Sequence, residues 1–448
     1  MRADLGGIGA ALGLVPVTEL RFAGALPSCF AVTELSGASV AAVGDAVAAL
    51  CAGLGLPVGS GAVDARLAAL WFDRSIAPEG WSLPPIWDAL AGDYPAKGGW
   101  IRLHTNLPHH RDAALSVLGC AARREAVAEA LRGWDPHELE GRIAAAGGVS
   151  AAMRDRAAWA AHPQGAAVAA EPLVGFGDTR EVAPRDWGGA PGRPLAGLRV
   201  LDLTRVLAGP VCTRGLAGVG AEVLRIDPPG WDEPNVVPDI TLGKRCARLD
   251  LRVAEDRAVF DGLLAQADVL VHGYRPGALE GLGLGDAARA GIAPRAVDAA
   301  LCAYGWTGPW AGRRGFDSLV QMSAGIAAEG QARAGAEKPV PLPVQALDHA
   351  TGYLMAAAVV GELARGRAGQ GLRPLRLSLA RTAELLAGMT PGVQGAMAAA
   401  TPADYADGVE RTVWGVARRL RPALEIDGVP MHWERPAAAL GSSAPVWP

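Results

Sequence analysis

The residue type and position with the greatest chemical potential in this chain is an acid at the start of an apolar helix. Asp348 stands immediately before HATGYLMAAAVVGEL. There the positive end of a helix dipole would favour the ionised carboxylate, while the apolar surroundings partly desolvate it. Such a carboxylate can attack a carbonyl carbon, or it can serve as a plain helix cap, as most aspartates at helix starts do. Taken alone, the residue leaves both roles open. His104, His109 and His110 lie in HTNLPHH. They lack an i, i+4 pairing with nearby acids, so a polar loop is expected there and no metal site. Trp81, Trp87, Trp100 and Trp134 could wall an acyl pocket or pack in a core equally well. GxGxxG, Walker A and HExxH patterns are absent from the sequence, so nicotinamide, ATP and metalloprotease chemistry have no support.

The elements that must position Asp348 alternate. LAGLRVLDLT reads as a buried strand, GPVCTRGLAGVGA as a helix closed by glycine, and EVLRIDPP as a second strand. CARLDL, VAEDRAVFDGLLAQ and ADVLVHGY repeat the pattern, and AVDAALCAYG is followed by FDSLVQMSAGIAA as a helix. This predicts an α/β fold built on a doubly wound, Rossmann-like parallel sheet. Ligands are then expected outside the carboxyl ends of the strands, at the loops Thr204 to Pro210, His272 to Gly277 and Tyr304 to Pro309. The first 190 residues lack the alternation and predict a smaller mixed α+β domain, with GGWIRLHT as one strand. The stretch WGGAPGRPLAG is the expected boundary.

One internal echo bears on the architecture. VTELSGASVAAVGDAVAAL followed by VDARLAALWF resembles LDHATGYLMAAAVVGEL followed by LRLSLARTAELL. Pairing Gly37 with Gly352 places Thr33 where the second copy has Asp348. Two Ala-rich helices that merely look alike would give the same pattern.

With 448 residues, half of them hydrophobic and a fifth charged, the chain is long enough for two or three packed domains. A net charge of −4 supplies no basic footprint, so nucleic acid is not an expected partner. The apolar run in MRADLGGIGAALGLVP is short and broken by glycines, so no membrane span or leader is expected at that end and the chain is read as cytoplasmic. Six dispersed cysteines without a CxxC pair predict neither disulfides nor a cysteine metal site.

From residue 195 to 353 the motifs LAGLRVLDLTRVLAGP, GAEVLRIDPPG, GKRCARLDL, ADVLVHGYRPGALEGLGL, YGWTGP, FDSLVQMSAGI and LDHATGY stand in one order. In that order they carry a resemblance of residues 195 to 390, across nearly their whole length, to the N-terminal half of the class III (CaiB/BaiF) CoA-transferases. The segment from GGWIRLHT to AAEPLV looks like the small second domain of that family, and VWGVARRLRPALEIDGVPMHWERPAAALG like its C-terminal segment. Because the small-domain part precedes the sheet, a rearranged or trimmed tandem fusion is implied. Residues 1–95 would be a partial, degenerate copy of the large domain and 96–190 the small domain. Residues 195–395 would be the CoA-binding domain with the nucleophile, and 396–448 a C-terminal segment packing on the large domain.

The resemblance implies that Asp348 is the nucleophile of an acyl-CoA:carboxylate CoA-transferase, acting through a mixed anhydride and an enzyme–CoA thioester. Gly352 would let a thioester approach the first helical turn. It further implies CoA contacts from Arg205, Val206, Leu207 and Ala208 in the first loop, from Lys244 facing phosphate, and from Gly273 and Tyr274, with Arg275 and Tyr304 as additional contacts. CoA and acyl-CoA enter as substrates beside a carboxylic acid, with no tightly bound cofactor, and the assembly would be a homodimer or a fused pseudo-dimer. The chain departs from the family at Gly273–Tyr274, where an Asn-Phe pair is common, and at Pro228, where a cation is common. The region APEGWSLPPIWDALAGDYPAKGG has only scattered glycines where many members have a glycine-rich loop over the nucleophile, so a less closed site is expected. Phe316–Asp317 replaces the His-Asp dipeptide of the related racemases, which leaves a racemase reading in need of His349 or His272, whereas an intramolecular CoA transfer, an isomerase outcome, would use the same Asp348 nucleophile. A non-catalytic CoA-binding subunit is the third reading.

Overall fold

The computed structural model describes residues 5–448, with side chains from residue 7. Six parallel strands lie side by side in the order Lys244–Arg248, Glu222–Asp227, Arg199–Leu203, Val269–His272, Val297–Cys302 and Leu375–Ser378. By position in the chain this is the order 3-2-1-4-5-6, the doubly wound topology, and it reverses between Arg199–Leu203 and Val269–His272. Both faces are covered, so the strands are apolar on alternate sides. Leu201, Leu203, Leu224, Ile226 and Leu270 pack against Phe260, Leu263 and Leu264 of the helix Ala254–Leu264. Val200, Val223, Val269, Val271 and Val297 point the other way, into a core shared with the helices Ala208–Gly218 and Ala346–Arg367.

Helix Ala346–Arg367 is buried from Ala346 to Val360 and is apolar around its whole circumference, as a central helix must be. Its neighbour on one side is Ala208–Gly218, and Gly352 explains how close the two come. A Cβ at Gly352 would lie 2.4 Å from the carbonyl oxygen of Ala208 and 2.8 Å from Val211 Cβ. Gly352 therefore serves helix–helix contact, which corrects the expectation that it admits a thioester.

On its other side the same helix packs along Val32–Leu54. That helix is long and apolar enough by composition to cross a membrane, yet Val32 to Val47 are all buried in protein. Its two acids are spent on loop amides: Glu34 accepts from Gly392 and Val393 N–H, and Asp45 from Val17 and Thr18 N–H. Both long helices continue in the same way. Val32–Leu54 is followed by the strand Gly61–Asp64 and the helix Ala65–Asp73, and Ala346–Arg367 by the strand Leu375–Ser378 and the helix Leu379–Gly388. The sequence echo is thus matched by a repeated helix–strand–helix order. Residues 1–4, the start of the N-terminal stretch read above, lie outside the described residues, and Leu5–Leu12 is a short helix.

The smaller mixed domain is a three-stranded antiparallel sheet, Gly92–Ala96, Gly99–Leu103 and Ser150–Ala152, carrying the helices Pro108–Leu118, Arg124–Leu131 and Pro136–Ala145. Two expected boundaries move. Gly175–Phe176 adds an antiparallel edge to the large sheet and Arg185 pairs with Asp268, so the chain rejoins the large domain well before residue 190. The C-terminal segment pairs first with the N-terminal part, Gly415–Arg419 with Ile76–Glu79 and Leu424–Ile426 with Gly61–Asp64. Only afterwards does it run over the large sheet, where Trp433 Nε1 donates to Arg214 O and Ser443 N to Cys246 O. A buried knot ties the three parts together: Asp239 accepts from Arg419 and from Ser75 and pairs with Arg214.

The helix predicted over FDSLVQMSAGIAA is two helices, Asp317–Ser323 and Ile326–Ala334. Gly325 breaks it at φ 80°, where a Cβ would lie 2.6 Å from Arg156 N of the adjoining segment. The break seats the small domain: Arg156 donates to Ala324 O and forms a two-bond pair with Glu384.

Candidate active site

At the point where strand order reverses, the loops after Arg199–Leu203 and Val269–His272 line a cleft of about 400 Å³. Arg205, Val206 and Ala208 stand on one side, Gly273, Tyr274 and Arg275 on the next, and Arg313 to Phe316 across from them. A second pocket of about 320 Å³ lies between the large and small domains. Pro84 to Asp88, His104, Leu207 and Glu233 are among its walls. Asp348 lines both, together with Leu107, Val206 and Phe316, so its carboxylate stands at the neck between two chambers.

The first turn of the Asp348 helix is organised by a second acid. Asp317 Oδ2 accepts the Asp348 backbone N–H at 2.9 Å, and its other oxygen accepts from Gln321, whose own Oε1 takes the Leu342 N–H. The positive end of the helix is thus used by Asp317. The Asp348 carboxylate accepts no hydrogen bond from the described residues, and burial followed by the Asp317 charge pushes its pKa well above the usual range. This reverses the expectation that the helix dipole holds Asp348 ionised. Burial raises Asp317 as well, to about 6.

The first loop is strained and braced. Val206 has φ 63°, the one positive φ outside glycine among the described residues, and for a β-branched residue this costs on the order of 1–3 kcal/mol. Its N–H is held by both oxygens of Glu233, which is paired in turn with Arg225. Beside it the Arg205 guanidinium lies 4.2 Å from the Trp231 ring centroid and 5.0 Å from that of Tyr274, and donates to the Tyr274 hydroxyl. Strain held at a loop by a buried ion pair is the pattern of a pre-organised binding element.

Arg275 and Arg314 face the same cleft without an acidic or hydrogen-bonding partner among the described residues. Burial, then Arg275, lowers the Arg314 pKa. Two unpaired, mutually repelling guanidinium groups over one cleft make an anion site, suited to phosphate.

Of the residues expected at the site, Asp348, Arg205, Val206, Ala208, Gly273, Tyr274 and Arg275 line the first cleft and Leu207 the second. Lys244 and Tyr304 do not reach either. The Lys244 ammonium is buried under the first loop, bonded to Asp202 at 2.9 Å, Thr213 at 2.6 Å and Pro210 O at 3.0 Å, so it holds the loop from beneath instead of facing phosphate. The Tyr304 ring is 1% exposed and its hydroxyl meets Ser323. The Tyr304 to Pro309 loop is tied to the small-domain side by Gln164 and Glu171, and Arg313 to Phe316 takes its place at the cleft. His349 is stacked on Phe72, and His272 pairs with Asp298, both outside the two chambers.

Sequence reasoning missed Arg314, Trp231 and the organising role of Asp317. The dipeptide Arg313–Arg314 in a glycine-flanked loop was the available signal for the first. It also undervalued His104, which lies flat on Phe316 with ring centroids 3.8 Å apart. Burial, then Arg102 and His110, takes the His104 pKa down to about 3. The segment with scattered glycines closes the second pocket with a Pro84–Pro85–Ile86–Trp87 strap, pinned where Ile86 O accepts from Asn106 and Asn235.

The model of "CoA-transferase family III" matches residues 195–412. That stretch is similar to CoA-transferase family III. The matched region covers the doubly wound sheet, the two loops at the switch point and Asp348. The chain is 37% identical to an acetyl-coenzyme A transferase of Hypoxylon pulicicidum, over 39% of this chain and 30% of that protein. It is 33% identical to an acyl-CoA transferase of Fusarium pseudograminearum, over 40% and 44% of the two chains. With a succinyl-CoA:glutarate CoA-transferase of Mus musculus it shares 34% identity over 40% and 44%. The chain thus spans less than half the length of each of these relatives. A solved CaiB/BaiF family protein from Brucella suis is 25% identical, covering 50% of this chain and 65% of that one, with a TM-score of 0.37.

Proposed function

We propose that this chain transfers CoA from an acyl-CoA to a carboxylic acid, with Asp348 as the covalent nucleophile. The observation that carries the reading is the position of the Asp348 carboxylate, without hydrogen-bond partners among the described residues, at the neck between an arginine-lined cleft and a pocket with apolar and acidic walls. Phosphates of CoA fit the first and an acyl group the second. Asp348 attacks the thioester carbonyl, the C–S bond breaks, and CoA leaves as thiolate, giving a mixed anhydride. The thiolate then attacks the aspartyl carbonyl and expels the donor acid as carboxylate, leaving an aspartyl–CoA thioester. The acceptor carboxylate attacks that thioester and frees the thiolate. Thiolate attack on the acyl carbonyl of the new anhydride releases acyl-CoA and restores Asp348. No step consumes a net proton.

A carboxylate stripped of hydrogen bonds is a poor ground state and a strong nucleophile, which suits this chemistry. The strap over the second pocket favours exclusion of water during the anhydride stages. A racemase would need a second base beside the α-carbon. The imidazoles lining the two chambers are His104, His109 and His110, and burial takes His104 to about 3 and His110 to about 4, which makes both weak proton acceptors. The helix pair Val32–Leu54 and Ala346–Arg367 within one chain supports the fused pseudo-dimer form of the family.

Intact-protein mass spectrometry after incubation with acyl-CoAs and then hydroxylamine tests the proposal. The expected result is a hydroxamate on Asp348 that is missing in Asp348→Ala. Solvent deuterium entering the α-position with no adduct would replace the transferase reading by racemisation, and CoA binding with neither outcome would leave a binding subunit.

A further inference from the structure

We infer that the pocket beyond Asp348 selects an acyl group without a second charge, an apolar or aromatic monocarboxylate, and disfavours dicarboxylates; this rests on the CoA-transfer reading. The two chambers that meet at Asp348 have opposite charge. Arg205, Arg275, Arg313 and Arg314 line the first, whereas the second has no lysine or arginine in its described walls and carries Asp88, Asp232, Glu233 and Asp317. Glu233 is already paired with Arg225, and a second substrate carboxylate there would be desolvated beside the remaining acids with no lysine or arginine in the lining to meet it.

The groups that could compensate are already engaged. Asn106 and Asn235 both direct their amide N–H at Ile86 O, at 2.8 and 2.9 Å. The arginines that touch wall residues are themselves engaged, Arg225 with Glu233 and Asp227. Arg102 lies over the Trp87 ring and is bonded to Asp93, and Arg111 sits 4.0 Å from Asp88 and is bonded to Asp112. What remains for the substrate is apolar surface from Pro85, Ile86, Trp87, Leu107, Val236 and Phe316. A space of about 320 Å³ holds on the order of ten non-hydrogen atoms at the volume of liquid water, the size of a short branched or phenyl-bearing acyl group.

The test measures Asp348 labelling rates with phenylacetyl-CoA, isobutyryl-CoA, succinyl-CoA and glutaryl-CoA under hydroxylamine trapping. The expected result is kcat/KM at least tenfold higher for the first two. Ile86→Arg, a substitution at an exposed strap position that spares the fold, is expected to narrow the ratio severalfold by raising the dicarboxylates. Equal or faster labelling by succinyl-CoA, unchanged by Ile86→Arg, overturns the inference while leaving the transferase reading intact. Absence of any Asp348 adduct overturns that reading instead. In that event calorimetry on Asp348→Ala still decides the pocket: tenfold tighter binding of phenylacetyl-CoA than succinyl-CoA upholds the selectivity, and equal affinities end it.

Discussion

The two helix–strand–helix units of this chain are built alike and differ in what meets the first helical turn. In the second unit Asp348 opens onto two chambers, its backbone held by Asp317. In the first, the matching Thr33 is 1% exposed and its hydroxyl accepts the N–H of Leu26, in a loop where Ala25 exchanges backbone hydrogen bonds with Gly395 and Met397. One scaffold is sealed by a loop and the other is left open under a strained one. On the proposed mechanism, reactivity would come from what is withheld from the helix start, hydrogen bonds and a covering loop, as much as from the acid itself.

Removing the acid should break the contrast most completely. Asp348→Ala is expected to lower turnover by roughly three orders of magnitude or more, as loss of a covalent nucleophile does, with the fold retained by circular dichroism. Next comes the knot that ties the silent unit to the sheet. Arg419→Ala leaves Asp239 and Glu410 facing a buried void and should cost about 3–5 kcal/mol in denaturant unfolding. Thr33→Asp should give no hydroxamate at position 33 and should destabilise by roughly 1–3 kcal/mol, because the acid is buried where nothing opens to substrate. A labelled residue 33 would refute the contrast.

Arg275→Ala should raise KM for acyl-CoA about tenfold, or ~1.4 kcal/mol, and leave kcat largely unchanged; salt should weaken the wild type more than the variant. The smallest effect expected is a displacement along the pH axis. Under the proposed mechanism the ionised Asp348 attacks, so the rate should rise with pH through its pKa, and Asp317 is one of the causes that raise that pKa. Asp317→Asn should move the acid limb of kcat/KM to lower pH. The same sign governs stability. A carboxyl whose pKa is raised on folding binds more protons in the folded state, so its contribution falls as pH rises above the unfolded value near 3.8. Asp348→Asn should accordingly gain on the order of 1 kcal/mol at pH 8, measured by thermal unfolding.

The sheet was legible because each strand is a contiguous apolar run with its helix and glycine behind it, and Asp348 was legible through the motifs around it. What failed to show was burial. Lys244 and Tyr304 are polar residues at strand ends, like Arg205 and Tyr274, and only packing decides that the first two face inward onto Asp202 and Ser323. Gly352 carries no sign in the sequence of whether a ligand or a helix approaches it. The two-residue edge strand Gly175–Phe176 is too short to have a period. The echo between the helices could be read, but not that the two copies would become each other's partners.

That partnership has a consequence for behaviour at low concentration. The seam between Val32–Leu54 and Ala346–Arg367 joins segments of one polypeptide, so forming it is a first-order event whose equilibrium does not depend on how dilute the protein is. A seam between separate subunits would loosen on dilution and exchange halves with its neighbours. Here the helix bearing Asp348 keeps its support at any concentration, and a damaged first unit cannot be replaced along this seam by a sound one from another molecule.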